Sequence, residues 1–241
     1  MCTVTFIRVK DSFFLTSNRD EKVQRTQALP PKIYQLKEAR LLFPKDAGAG
    51  GTWIAIKDNS NAAVLLNGAF ISHPSQPPYK RSRGLILIDI LAAPDPATCF
   101  SQINLAAIEP FTLILFQDFA LYECRWDGSK KYNKQLNTGQ NHIWSSATLY
   151  NETVQSKRKE WFVKWLGENP RPSLPDIFHF HQFAGDGDEQ NDIRMNRDGQ
   201  LFTVSITGIQ LTKETGIMHY IDLLDGATYN AKLNHISSCA L

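Results

Sequence analysis

The chain has 241 residues, 42% of them hydrophobic, enough to bury a full core within one unit spanning residues 1–241. Lys plus Arg number 26 against 24 for Asp plus Glu; the formal charge of +2 is too weak a field to draw nucleic acid, so no nucleic-acid partner is expected. No apolar run reaches the roughly 18 residues of a transmembrane segment, no secretory leader opens the chain, and the expected location is cytoplasmic.

Cys2 stands behind Met1, and removal of that methionine would leave a thiol and a free α-amino group on the same carbon. Such a residue is a nucleophile carrying its own base, because an α-amine of pKa near about 8 and a thiol near about 8.5 exchange a proton almost without cost. Residues 3–9 and 12–17, β-branched and aromatic around a turn at Lys10-Asp11, predict a β-hairpin. Antiparallel pairing then returns Asn18, Arg19 and Asp20 to the neighbourhood of Cys2. Side-chain alternation sets Asn18 and Asp20 on one face and Arg19 on the other. A carboxylate at Asp20 can hold the α-ammonium, and a guanidinium at Arg19 favours the thiolate.

Residues 24–45, broken by Pro30-Pro31 and Pro44, read as a long irregular cover. The run Gly48-Ala49-Gly50-Gly51 leads into a second hairpin over 52–56 and 62–67. A Pro-rich loop over 73–83 follows, in which Lys80, Arg81 and Arg83 suit a carboxylate or phosphate head group. Helices are expected over 85–92 and 96–108, the second capped by Asp95 with Pro96 next. Residues 111–116 and 120–126 make a third hairpin, and 151–166 an amphipathic helix with Val154, Trp161, Phe162 and Trp165 as its apolar side and Gly167 as its stop. A shorter helix over 175–183 and a hairpin over 202–211 and 216–223 complete the chain. Hairpins at both ends with helices between them predict a layered α+β architecture of antiparallel sheets.

The remaining motifs carry less chemistry. His179 and His181 lack a third ligand, and in the acidic run 186–192 the glycine falls at the second position of a calcium loop instead of the sixth, so no metal is expected. Four scattered cysteines form neither a disulfide framework nor a metal knuckle; Cys99 and Cys124 read as buried thiols and Cys239 as tail. Trp53, Trp144 and Phe70 could line an apolar pocket as readily as they could belong to the core.

Met1-Cys2, Ser17-Asn18-Arg19-Asp20-Glu21, Gly50-Gly51-Thr52-Trp53-Ile54, Leu66-Asn67-Gly68 and Arg81-Ser82-Arg83-Gly84 resemble, in order and spacing, the successive motifs of the NRDE-motif family, also called the Transport and Golgi organisation protein 2 family. That family is in turn similar to N-terminal-nucleophile hydrolases of the choloylglycine type. The resemblance covers about the first 90 residues and implies a four-layer αββα sandwich. It further implies Cys2 as nucleophile, Asp20 as partner of its amine and Asn67 as oxyanion donor; the arginine of choloylglycine hydrolases falls where this chain has Ser17, and Arg19, two residues on and on the same face, is the expected catalytic arginine, with Asn18, Trp53, Arg81 and Arg83 expected to bind substrate. Two positions depart from the family: Ser146 stands where asparagine is common and Val204 where arginine is common. The expected activity is hydrolysis of a non-peptide amide or thioester of a small acyl-containing molecule, with no cofactor. The alternative, which the two departures favour, is an inactive relative that binds or traffics an apolar anionic molecule such as an acyl-coenzyme A, lipid or haem.

Overall fold

The computed structural model describes residues 3–36, 38–58 and 60–234. Its first sheet is built on the hairpin of β1 (Thr3–Val9) and β2 (Ser12–Lys22), in register from Thr3 opposite Asn18 to Val9 opposite Ser12. β2 runs on past the expected end because β12 (Leu201–Leu211) pairs along its other edge, from Lys22 opposite Leu201 to Phe13 opposite Leu211. β13 (Thr215–Asp222) and β14 (Thr228–Asn234) extend the sheet on that side, β10 (His142–Ser145) closes it beyond β1, and the two-residue β11 (Asn196–Arg197) pairs with β12.

The second sheet is a meander in chain order: β3 (Leu29–Leu36), β4 (Ala39–Lys45), β5 (Ile54–Lys57), β6 (Ala62–Asn67), β7 (Phe111–Gln117), β8 (Ala120–Trp126) and β9 (Lys131–Leu136). Every pairing in both sheets is antiparallel. α1 (Arg83–Ala92) and α2 (Pro96–Gln102) cover the second sheet, while α3 (Glu152–Glu168) and α4 (Leu174–Phe183) cover the first. The result is the expected four-layer αββα sandwich.

Alternation explains the layers. In β1, Val4 and Phe6 join the core shared with the second sheet, whereas Ile7 joins the cluster of Phe162, Ile177 and Phe180 beneath the helices. β6 and β7, covered on both faces, read as unbroken apolar runs, Ala62 to Leu66 and Leu113 to Phe116, as strands buried on both sides must.

Several expectations need correction. Residues 24–45 are largely the β3–β4 hairpin: Pro30 and Pro31 are tolerated because β3 is an edge strand, and the ladder shifts register between Leu29 and Lys32 to pass them. α2 ends at Gln102, well short of residue 108, and Gly167 lies inside α3, which Asn169 caps with its backbone N–H on Trp165 O. β9, β10 and β14 lie outside the expected elements: KYNKQL shows little apolar alternation and HIWS is only four residues long, whereas TYNAKLN does alternate Tyr229, Ala231 and Leu233 with polar residues. Cys124 is fully buried and burial pushes its thiol up to about 12, while Cys99 is only partly buried and Cys239 lies outside the described residues. None of the described helices is long and apolar enough to cross a membrane.

Candidate functional site

A cavity of about 420 Å³ opens where β2, the start of β5, the end of β6 and the first turn of α1 converge. Arg19, Trp53, Asn67, Arg81 and Arg83 line it together with Glu21, Arg25, Asp46, Tyr79 and Glu109. The chain builds this corner by close backbone approach. A Cβ on Gly51 would fall 2.5 Å from the carbonyl carbon of Gly84, and one on Gly84 would fall 2.7 Å from Thr52 O. Only a pair of glycines lets the strand lie on the helix so closely. Thr52 N–H donates to Gly84 O at 3.3 Å, and Ser82 caps α1 by accepting from Leu85 N–H at 3.4 Å, which leaves Arg81 and Arg83 at the rim.

Arg19 is 3% exposed, with its guanidinium carbon 4.6 Å from the centre of the Trp53 ring. It donates to Asp46 Oδ2 at 3.0 Å and lies 3.4 Å from Glu21. Asp46 also takes Arg25 at 2.8 Å and the N–H groups of Gly48 and Ala49 at 3.0 and 2.7 Å. Burial alone would raise the Asp46 carboxyl, but the Ala49 N–H and the guanidiniums of Arg25 and Arg19 outweigh it and hold the group below the usual carboxylate range. Arg83 pairs with Glu109 at 3.0 Å, and Arg81 pairs with Asp89. Burial lowers the Arg83 guanidinium, with Glu109 opposing the shift. The Trp53 indole N–H is buried without an acceptor among the described residues.

Asn18 and Asp20 face the other way, toward α3 and α4, as the alternation of β2 requires. The Asn18 amide donates to His181 O at 3.0 Å and Ile193 O at 2.9 Å, and its oxygen accepts from His181 Nδ1. Its polar atoms are therefore engaged inside the protein, away from the cavity that holds Arg19. The Asp20 carboxylate, 3% exposed, accepts from the Tyr150 hydroxyl at 2.8 Å and the Thr203 hydroxyl at 2.6 Å. Cys2 lies outside the described residues; Thr3, to which it is bonded, is fully buried and sits between Asn18 and Ser145 in the sheet.

Asn67 ends β6, and the fully buried Ser146, next after the partner of Thr3, donates its hydroxyl to Asn67 O at 2.9 Å. Val204 is 7% exposed and, with Arg19 and Tyr220, lines a small crevice beside the main cavity. Asp46, Glu109, Tyr150 and Thr203 were missed at the sequence level. Only Asp46 had a local signal, an Asx turn into the glycine run. The others reach the site through long-range pairing.

His181 is fully buried, with its Nε2 2.8 Å from the Thr5 hydroxyl oxygen. Nδ1 donates to the Asn18 oxygen, and in the neutral ring Nε2 then accepts from the Thr5 hydroxyl. Burial first, and the nearby Arg158 charge second, push its pKa from 6.5 down to about 3. The unfolded chain thus binds one more proton than the folded one between those values, and stability is expected to fall by about 1 kcal/mol per unit as pH drops through the window. Denaturant midpoints from pH 7 to pH 4 test this; the same pH dependence in His181→Gln would contradict it.

Among solved structures, the chain is similar to the Caenorhabditis elegans N-acylethanolamine-hydrolyzing acid amidase ortholog, with 12% identity and a TM-score of 0.60 over 86% of this chain and 92% of that one. It is similar also to an arginine-to-leucine variant of conjugated bile acid hydrolase from Clostridium perfringens, at 11% identity and a TM-score of 0.61 over 95% and 92% of the two chains. A cysteine-to-alanine mutant of that hydrolase matches over 100% of both chains at 10% identity and a TM-score of 0.55. These likenesses establish a shared N-terminal-nucleophile-hydrolase-like fold. No protein of curated function matches the sequence. The family model described as Transport and Golgi organisation 2 matches residues 1–182, three quarters of the chain, and the chain belongs to that family.

Proposed function

We propose that the chain, once Met1 is removed, is a cysteine N-terminal-nucleophile hydrolase acting on a non-peptide amide or thioester of a small acyl-containing molecule. The observation that carries the reading is the position of the cavity: Arg19 follows one partner of Thr3, Asn67 is tied to the residue after the other, and both line the same wall. Carrying the alternation of β1 two residues back from Val4 would give position 2 the parity of that wall.

In this reading the Cys2 thiol gives its proton to its own α-amine and attacks the carbonyl carbon, and the Asn67 amide donates to the oxyanion. The protonated amine passes the proton to the departing nitrogen or sulfur. The thioester left on Cys2 is then hydrolysed by a water that the same amine deprotonates. Asp20 positions the amine and Arg19 favours the thiolate. Arg81 and Arg83 at the rim suit an anionic substituent on the substrate.

A second reading, a binding protein for an apolar anionic molecule such as an acyl-coenzyme A, lipid or haem, draws support from Ser146 and Val204. The Ser146 hydroxyl is engaged with Asn67 O, and Val204 adds no charge beside Arg19. Intact mass separates the two. Loss of the initiator methionine is expected; a chain that keeps it has an acylated nitrogen at residue 2 and no base for the reaction.

A further inference from the structure

Arg158 is the one strongly basic side chain of α3 that the fold turns inward, four residues before Phe162, so the two share the face laid against the first sheet. It is fully buried. Its hydrogen bonds among the described residues run to Asn191 O at 3.1 Å, Asp192 O at 2.6 Å and the Thr3 hydroxyl, none of them to a carboxylate. A buried guanidinium without a directly bonded counter-ion is costly, and carbonyl oxygens compensate only part of that cost. The guanidinium carbon also lies 3.6 Å from the centre of the Tyr150 ring, and the Tyr150 hydroxyl donates to Asp20 at 2.8 Å.

One rigid fork therefore touches both supports of the proposed nucleophile. It fixes Thr3, the residue bonded to Cys2, and through Tyr150 it bears on Asp20, whose other oxygen is held by Thr203 at 2.6 Å. We infer that Arg158 is a positioning residue that sets the place and the electrostatic surroundings of the N-terminal cysteine, an inference that rests on the reading of Cys2 as nucleophile. A guanidinium suits the task better than an ammonium because its planar donors serve three directions at once and keep their charge.

The test is site-resolved alkylation of Cys2 by iodoacetamide as a function of pH, read by peptide mass in Met1-free protein alongside the thermal midpoint. Four proteins are compared: wild type, Arg158→Met, Tyr150→Phe and Phe162→Ala. Phe162→Ala removes a buried ring from the same face of α3 and serves as a destabilised control that leaves the polar contacts in place. Arg19 from β2 and the neutral His181 from α4 stay in every variant. In wild type the midpoint is expected below the ordinary thiol value of about 8.5. Arg158→Met and Tyr150→Phe are expected to raise it by at least about half a unit, since a cation is lost in one and a carboxylate loses a donor in the other. Phe162→Ala is expected to melt earlier with an unchanged midpoint.

An unchanged midpoint in Arg158→Met, or an equal rise in Phe162→Ala, overturns the inference. Should Arg158→Met not fold, Arg158→Gln, which keeps a donor for the Thr3 hydroxyl and drops the charge, decides in its place. A wild-type midpoint at the ordinary thiol value overturns the reading of Cys2 itself, an outcome distinct from a lowered wild-type midpoint that Arg158→Met leaves alone.

Discussion

Replacing Cys2 by alanine is expected to lower turnover of any amide or thioester substrate of this chain by at least about 10⁴-fold, because removal of the nucleophile eliminates the covalent route altogether. The thermal midpoint should stay close to that of wild type, since the substitution removes a single sulfur atom. A panel of amides and thioesters bearing carboxylate or phosphate groups is the fitting screen, given the four guanidiniums of Arg19, Arg25, Arg81 and Arg83 around the cavity. Turnover that survives Cys2→Ala at the wild-type rate would remove the nucleophile assignment and leave the binding reading in possession of the site.

The largest effect on stability is expected from Asp46→Ala. The Asp46 carboxylate neutralises Arg19, which is 3% exposed, and holds Arg25 and the turn at Gly48 and Ala49. Its removal strands a buried charge, which costs about 3 kcal/mol or more. For a domain of this size that is a fall of about 6 to 12 °C in the thermal midpoint. Asp46→Asn keeps an acceptor for the turn but loses the charge, and should fall between. Because the folded carboxyl lies below its ordinary value, its contribution is complete above the unfolded value of about 3.9 and disappears as pH falls through the folded one. The penalty of Asp46→Ala should therefore be full at neutral pH and vanish in strong acid. Denaturant unfolding at pH 7 reads the first half; a loss under about 1 kcal/mol there would show that Glu21 alone suffices for Arg19.

Much of the first hairpin was legible because its cause is local. A run of β-branched and aromatic residues, a Lys10-Asp11 turn and a second apolar run leave few alternatives to antiparallel pairing, and the face alternation of Asn18, Arg19 and Asp20 follows from the pleat. The cap Asp95 was legible for the same reason, since it answers to an N–H group only three residues away. The β3–β4 hairpin was not legible: two adjacent prolines argue against a strand unless it lies at an edge, and edge position is a property of the whole sheet.

The same division runs through the site. Residue types along the chain pointed to Cys2, Arg19, Asp20, Arg81 and Arg83, and the resemblance of short motifs to a known family added Asn67, because motif chemistry is written in short segments. Which of them share a cavity depended on contacts between residues far apart along the chain, 27 positions for Arg19 and Asp46 and 163 for Asn18 and His181. Asn18 turned to His181, Asp20 to Tyr150 and Thr203, and Arg19 to Asp46, each a match of buried donor to buried acceptor that exists only once two sheets and four helices have closed. Arg158 illustrates the limit most clearly. Its spacing from Val154 and Phe162 puts it on the apolar side of α3, but its contacts with Thr3 and Tyr150 come from the docking of α3 on the first sheet, which no local pattern encodes.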